Sequence, residues 1–344
     1  LERKIKVLVV DDSMVYREVL ARGISTDPNM EVVATATDPF DARDKILEYK
    51  PDVMTCDVEM PKMSGIEFIK RLLPQYPLPV IVVSSISDSV FQAMNAGAID
   101  FVAKPNMNSA KSVEEFINDM IFKIKIAAAA KVQFNPKLNS CDLPEDNVKV
   151  NAISGSSKII AVGASTGGTE AIYNLIKRLP NHIPGIVIVL HIPPVFSGMF
   201  AERLNTSTAF HVKEAKTGDY IKKGHILIAP GDKHMKIKKV GENYRVDCYE
   251  GSKVNGHCPS VDILFESVAK EAGANSIGII LTGMGYDGAK GLLAMRQKGA
   301  RTIGQDEKSS VVYGMPKVAF NIGAVERQAS LDKISLLLYS MLSE

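Results

Sequence analysis

The feature that most restricts the fold of this chain is an alternation repeated five times in its first 124 residues. A short apolar run is followed by a turn and then by apolar residues at helical spacing. Runs at 5–10, 31–36, 53–56, 80–84 and 101–102 predict strands, and the spacing at 14–26, 39–49, 64–73, 90–96 and 113–130 predicts helices. Consecutive strands joined through a helix run parallel, and the helices then cover both sheet faces. In such a sheet, chemistry collects where strands end at their carboxyl edge.

The chain has 344 residues, too many for one typical core, so two domains are expected. Residues 131–157 lack apolar period and carry turn formers, as in Phe134-Asn-Pro-Lys and Asp142-Leu-Pro-Glu-Asp146. They read as a linker. The expected division is therefore 1–124, a helix extension plus linker at 125–156, and 157–344. Hydrophobic content of 46% with 23% charge excludes a disordered chain. No apolar run approaches the ~20 residues of a membrane span. Residues 1–6 lead directly into a strand, which argues against a signal peptide. Cys56, Cys141, Cys248 and Cys258 lack the spacing of a zinc site or a disulfide framework, which favours a reducing cytoplasm. Charge divides unevenly: residues 1–124 hold 14 Lys+Arg against 19 Asp+Glu, and the remainder 27 against 20.

The predicted strand ends carry a set of polar residues. Asp11-Asp12 follows the first strand, Asp57 the third, Ser84 ends the fourth and Lys104-Pro105 follows the fifth, where a cis peptide is a candidate. Three carboxylates gathered at one edge repel unless a cation joins them, and hard oxygen donors suit Mg²⁺. With a metal beside it, Asp57 is placed to accept a phosphoryl group, Lys104 to contact its oxygens and Ser84 to hydrogen-bond it. An acidic strand end such as Asp11 or Asp38 is, taken alone, as often a helix cap as a ligand, but the full set in this order is not.

Residues 4–124 resemble a response-regulator receiver domain, on Val9-Val-Asp-Asp-Ser13, Asp57-Val-Glu-Met-Pro-Lys-Met-Ser-Gly65, Ser84-Ser and Lys104-Pro. The resemblance implies a flavodoxin-like sheet of order 2-1-3-4-5, phosphorylation at Asp57, and a Mg²⁺ site from Asp11, Asp12, Asp57 and the Glu59 carbonyl. The aromatic switch position falls on Phe101, where many receivers carry Tyr, so coupling through a phenolic hydroxyl is unavailable.

The second half again reads as α/β, with strands at 159–162, 186–190 and 277–281, a helix at 288–298, and a β-hairpin from 235–240 and 244–248. A doubly wound catalytic domain with a hairpin follows. Gly163-Ala-Ser165-Thr-Gly167 fits G-x-S-x-G, a strand-to-helix turn that exposes a serine. His191 directly follows a second strand, and Asp287 lies in the loop after a third. Parallel pairing would bring all three to one edge as nucleophile, base and orienting acid. Thr166, Met284 and Gly285 are candidate oxyanion donors through backbone N–H. His257 is the rival base, although its flanks lack a strand exit. His182, His211, His225 and His234 sit in polar or turn contexts.

A nucleotide-binding reading of 163–168 fails for want of the Lys of the phosphate-binding loop. A DNA-binding output would need a basic recognition helix, and the lysine-rich 233–239 segment is strand-like. No nucleic-acid partner is expected. The half from ~157 to 342 instead resembles the catalytic domain of chemotaxis protein-glutamate methylesterases. The matching segments are Ala161–Gly168, His191-Ile-Pro-Pro194, Ile228-Ala-Pro-Gly231, Pro259-Ser-Val-Asp262 and Leu281–Gly288. The resemblance implies a phosphorylation-activated serine esterase with Ser165, His191 and Asp287 as the triad. It implies hydrolysis of glutamate γ-methyl esters on chemoreceptor helices, possible deamidation of receptor glutamines, and a chemotaxis histidine kinase as phosphodonor. No cofactor is expected for the esterase reaction, and a monomer without membrane insertion is expected. Two positions depart from the family pattern: Cys258, where relatives often have Arg, and Ile192, where Met commonly follows His. Autoinhibition is expected, with the unphosphorylated receiver packed over the Ser165 edge, and the uneven charge suggests an electrostatic part to that docking.

Overall fold

The computed structural model describes residues 3–85, 89–105, 109–130 and 158–343. The chain forms two compact units, Leu1–Ser140 and Cys141–Glu344.

The first unit alternates β1 (Ile5–Val10), α1 (Met14–Ile24), β2 (Met30–Ala36), α2 (Pro39–Tyr49), β3 (Val53–Asp57), α3 (Gly65–Leu72), β4 (Val80–Ser84), α4 (Ser89–Asn95), β5 (Asp100–Ala103) and α5 (Ala110–Ala129). Its five strands pair in parallel in the order β2-β1-β3-β4-β5, as expected. β3 and β4 are buried along their whole length, which the Val and Ile content of these strands permits only when helices cover both faces. Asp38 does cap α2, accepting from the Phe40 and Asp41 N–H groups, an interaction usually worth about 1 kcal/mol. Ser64 does the same for α3 through Glu67 N–H. The helix α5 starts three residues before the expected 113, capped by Ser109. Of the expected 125–156 connection, 125–129 belongs to α5, and 131–156 lies outside the described residues.

The second unit runs β6 (Ile159–Ala164), α6 (Gly168–Lys177), β7 (Ile186–Leu190), α7 (Phe196–Ser207), β8 (His211–Glu214), β9 (His225–Ile228), β10 (His234–Val240), β11 (Asn243–Tyr249) and α8 (Val261–Glu271). It continues with β12 (Ser276–Ile280), α9 (Ala289–Gln297), β13 (Arg301–Gln305), α10 (Met315–Asn321), β14 (Arg327–Ala329) and α11 (Leu331–Ser343). Seven strands form a sheet of order β14-β13-β12-β6-β7-β9-β8, parallel throughout. The hairpin is β10–β11, antiparallel and in a sheet of its own. Its inward residues Met235, Ile237 and Val246 share a core with Leu264, Phe265 and Val268 of α8. Each such large side chain, once buried, contributes about 1.5–3 kcal/mol. The hairpin thereby fixes α8, and the N-terminus of α8 matters to the site below.

Topology explains where that site lies. From β6 the chain moves outward through β7 to the β8 edge, steps back to β9, then returns to β12 on the other side of β6. The reversal leaves a crevice at the carboxyl ends of β6 and β12, the position where open α/β sheets place their ligands.

Candidate functional site

In the first unit the strand ends converge as their order dictates. Asp11 and Asp57 are buried and Asp12 is exposed, and one oxygen from each lies within 4.8 Å of the others. Lys104 Nζ is 2.7 Å from Asp57 Oδ2 and 3.1 Å from Asp11 Oδ2, and stands 4.5 Å above the Tyr16 ring. Burial opposes its charge, yet the Asp57 hydrogen bond and the Asp11 charge raise its pKa above the ordinary lysine value. The Asp11 carboxyl is pushed up by burial and by the Asp57 charge. One ammonium against three carboxylates leaves excess negative charge. Asp11 Oδ2 is buried and pairs with the Lys104 ammonium, and among the described residues Ser84 Oγ is buried without a hydrogen-bond partner. An all-oxygen donor set with excess negative charge fits a hard divalent cation.

Glu59 is held beside Asp57 through its N–H, which donates to Asp57 Oδ1 at 3.3 Å. Phe101 is buried, with Lys123 Nζ 5.2 Å from its ring centroid. Cys56, next to the phosphoacceptor candidate, is an inert thiol, because burial and then the Asp57 and Asp11 charges push its pKa up. Among the described residues the cis peptide lies at Cys258–Pro259 and not at the expected Lys104–Pro105.

In the second unit β6 and β7 pair with Ala164 opposite Leu190, so Ser165 and His191 leave adjacent strands side by side. His191 N–H donates to Ala164 O at 3.1 Å. On the other flank Ser165 N–H donates to Thr282 O at 3.0 Å, which ties the serine to the chain leaving β12. Gly167 has φ +76, the left-handed turn that starts α6 and that a β-carbon would strain. Gly283 lies against the serine: a β-carbon there would meet Ser165 Cβ at 2.7 Å.

Asp287 carries the most hydrogen bonds in the site. Oδ2 takes His191 Nε2 at 2.9 Å and Val261 N–H at 2.6 Å. Oδ1 takes Asn255 Nδ2 at 2.8 Å, Ser260 Oγ at 2.8 Å and Asp262 N–H at 3.4 Å. Val261 and Asp262 are the first residues of α8, so the carboxylate also sits on the positive end of a helix dipole. Burial pushes the Asp287 pKa up, but the bonds from His191, Asn255 and Ser260 outweigh it and hold the carboxyl far below its usual range. An ionised Asp287 makes His191 Nε2 the protonated nitrogen. Among the described residues His191 Nδ1 is buried and makes no hydrogen bond, so its lone pair is available. A neutral imidazole of this tautomer, beside a serine at a strand-to-helix turn, can take a hydroxyl proton and return it to a leaving group. Of the three oxyanion candidates, Thr166 is buried, and neither Met284 nor Gly285 N–H enters a backbone hydrogen bond among the described residues.

Two family models match the chain: the response regulator receiver domain over residues 7–115 and the CheB methylesterase over residues 160–338. A protein-glutamate methylesterase/protein-glutamine glutaminase of Syntrophomonas wolfei is 57% identical over 342 residues, 99% of each chain. The chain belongs to the protein-glutamate methylesterase family. A relative in Salmonella typhimurium is 44% identical over 344 residues, covering 99% of this chain and 97% of its own. The CheB methylesterase catalytic domain of Thermotoga maritima superposes with a TM-score of 0.53 at 35% identity, over 54% of this chain and 100% of that domain.

Within this methylesterase fold the structure adds residues that the sequence reading passed over. Asn255 bridges Asp287 and Asp262, donating to Asp262 Oδ2 at 2.7 Å. Ser260 and the start of α8 cradle Asp287, whereas α9 begins at a Gly288 cap of φ +88 without side-chain help from Asp287. Thr282 Oγ1 shares its proton between Thr166 O (3.0 Å) and Val312 O (3.3 Å), and Gln305 Oε1 accepts from Thr282 N–H at 2.8 Å. These two side chains brace the serine turn from behind. The signal for α8 was present in the sequence: Val261, Leu264, Phe265 and Val268 recur at helical spacing after Ser260. The rival base His257 is brought to the site, but Asp287 bonds His191.

Proposed function

We propose that this methylesterase hydrolyses glutamate γ-methyl esters on chemoreceptor cytoplasmic helices and that phosphorylation of Asp57 raises the rate. Its relatives in Syntrophomonas wolfei and Salmonella typhimurium are protein-glutamine glutaminases as well, and the same site would deamidate receptor glutamines. The observation that carries the reading is the 2.9 Å bond between His191 Nε2 and buried Asp287, formed one strand away from Ser165.

Ser165 Oγ attacks the ester carbonyl as His191 Nδ1 takes its proton. Backbone N–H groups of Thr166 or of Met284 and Gly285 receive the oxyanion, a contribution of about 10²–10³ in rate per donor. The tetrahedral intermediate expels methanol, which leaves with the proton held on His191. Water then attacks the glutamyl–serine ester, with His191 again the base, and releases the glutamate carboxyl and Ser165. Asp287 holds the ring tautomer and offsets the imidazolium charge.

Residues 1–124 serve as the receiver, 125–156 as the connection and 157–344 as the hydrolase. A chemotaxis histidine kinase donates the phosphoryl group to Asp57. Mg²⁺, held by Asp11, Asp12, Asp57 and the Glu59 carbonyl, would neutralise charge on that group. Lys104 contacts a phosphoryl oxygen, Ser84 supplies its hydroxyl, and Phe101 packing reports the change. Among the described residues no helix is long and apolar enough to cross a membrane. We place the protein in the cytoplasm, as a monomer, where receptor helices and kinase are accessible.

A fluorophosphonate probe and a methanol-release assay on methylated receptor membranes test this together. The intact chain should be labelled once and release methanol, and Ser165→Ala should do neither while still accepting phosphate at Asp57. Turnover retained in Ser165→Ala would remove the serine mechanism.

A further inference from the structure

His191 is held on two sides. Asp287 holds its edge, and the His257 ring lies flat against its face, with centroids 3.6 Å apart and planes 9° from parallel. His257 sits on a tight loop closed by paired bonds between Val254 and His257, each 2.9 Å. The loop turns through Asn255 at φ +54 and Gly256 at φ +86. An asparagine tolerates this left-handed backbone better than most side chains. One loop therefore secures both partners of the serine: Asn255 bonds the acid, and His257 stacks on the base.

We propose that His257 is a positioning residue of the hydrolase site, whose ring face fixes the plane of His191 so that Nδ1 addresses Ser165 and water is kept from that face. The proposal rests on His191 as the base. Besides the two rings themselves, Asp287 and Lys253 act on the stacked pair, and Asp262 is linked to Asp287 through Asn255. Burial, then the neighbouring His191, push the His257 pKa down to about 4. The stacked ring is thus neutral at neutral pH. It therefore sets no second positive charge against His191 when proton transfer turns that ring into a cation. A second imidazolium there would repel it.

The test uses the full chain with His257→Ala, His257→Phe and His257→Lys, assayed for methyl-ester hydrolysis across pH, with melting temperatures to confirm folding. His257→Ala should lose roughly 10²-fold in kcat with little change in KM, the scale expected of a misaligned catalytic group. His257→Phe should recover most of that loss, because a flat ring again covers the face. Water admitted by His257→Ala stabilises the imidazolium, so the acidic limb of its pH profile moves to higher pH. The ammonium of His257→Lys opposes the imidazolium, so its limb moves to lower pH. A loss in His257→Ala that His257→Phe does not recover, or an acidic limb unmoved in both Ala and Lys variants, overturns the proposal. Ser165→Ala in parallel separates the two readings: if it is inactive while His257→Ala keeps full kcat, only the role of His257 falls.

Discussion

The most informative single perturbation is Asp287→Asn. The side chain keeps its shape, but one oxygen becomes an NH₂. On the Oδ1 side that NH₂ would face Asn255 Nδ2, pinned by its second bond to Asp262, and the Asp262 N–H. Neither of these donors can become an acceptor; the third group there, the Ser260 hydroxyl, can turn to accept, but two donors would still be left unpaired. On the Oδ2 side it would face the Val261 N–H and His191. There His191 can adapt, by moving its proton from Nε2 to Nδ1, and one donor is left unpaired. The amide therefore turns its NH₂ to His191, leaves the Val261 N–H unpaired, and reverses the tautomer. Nδ1 then presents a proton to Ser165 where a lone pair is needed. In serine proteases the equivalent tautomer error lowers kcat by about 10⁴, and a loss of that order is expected here. The unpaired buried donor costs about 1–3 kcal/mol of stability.

The stability term has a definite pH dependence. Asp287 has a depressed pKa in the fold, so its stabilisation is present above the ordinary carboxylate value of 3.8 and is lost as pH falls below it. Asn does not titrate. The gap in unfolding free energy between parent and variant should therefore be widest near neutral pH and shrink in acid. Urea unfolding at about pH 7 and about pH 3, together with methanol release, measures both effects. A variant with kcat within about tenfold of the parent would refute the tautomer argument, and a gap that widens in acid would refute the charge assignment.

Three further outcomes are expected. Gly283→Ala puts a β-carbon 2.7 Å from Ser165 Cβ and 2.4 Å from Met315 Sδ; the methionine can yield and the serine turn cannot, so kcat should fall by roughly 10² while stability drops by about 1–3 kcal/mol. Lys104→Met strips the counter-charge from buried Asp11 and Asp57, and thermal unfolding should show a loss of about 3–5 kcal/mol in the receiver unit, with a larger Mg²⁺-induced rise in melting temperature than in the parent. Chelation with EDTA should stop phosphorylation of Asp57 by a small phosphodonor, followed by phosphate incorporation, yet leave basal ester hydrolysis unchanged.

How much of this was legible in the sequence follows from what each part rests on. The receiver pattern is local: each strand is a continuous apolar run, each helix a periodic one, and parallel pairing then sends Asp11, Asp57, Ser84 and Lys104 to one edge. The placement of Ser165, His191 and Asp287 at one edge was legible for the same reason: Ser165 and His191 directly follow buried strands, and Asp287 lies in the loop after a third. The outer strands were not. His211-Val-Lys-Glu and Arg327-Gln-Ala contain no apolar run, and only pairing with β9 and β13 makes them strands.

The supports of the proposed triad were hidden for a deeper reason. They come from residues 255–262, which follow the hairpin and belong to no periodic element until α8 begins. A strand-end rule ranks His257 low as a base, and Asp287 does bond His191. Yet the same rule gives no hint that this loop folds against the catalytic edge. What brings it there is the packing of hairpin residues Met235, Ile237 and Val246 on Phe265 and Val268, which points the N-terminus of α8 at Asp287. The polar site thus depends on an apolar contact more than twenty residues away in the chain. A buried carboxylate that must stay ionised needs fixed donors, and a helix end locked by a hydrophobic core is the most rigid source of them that this fold provides.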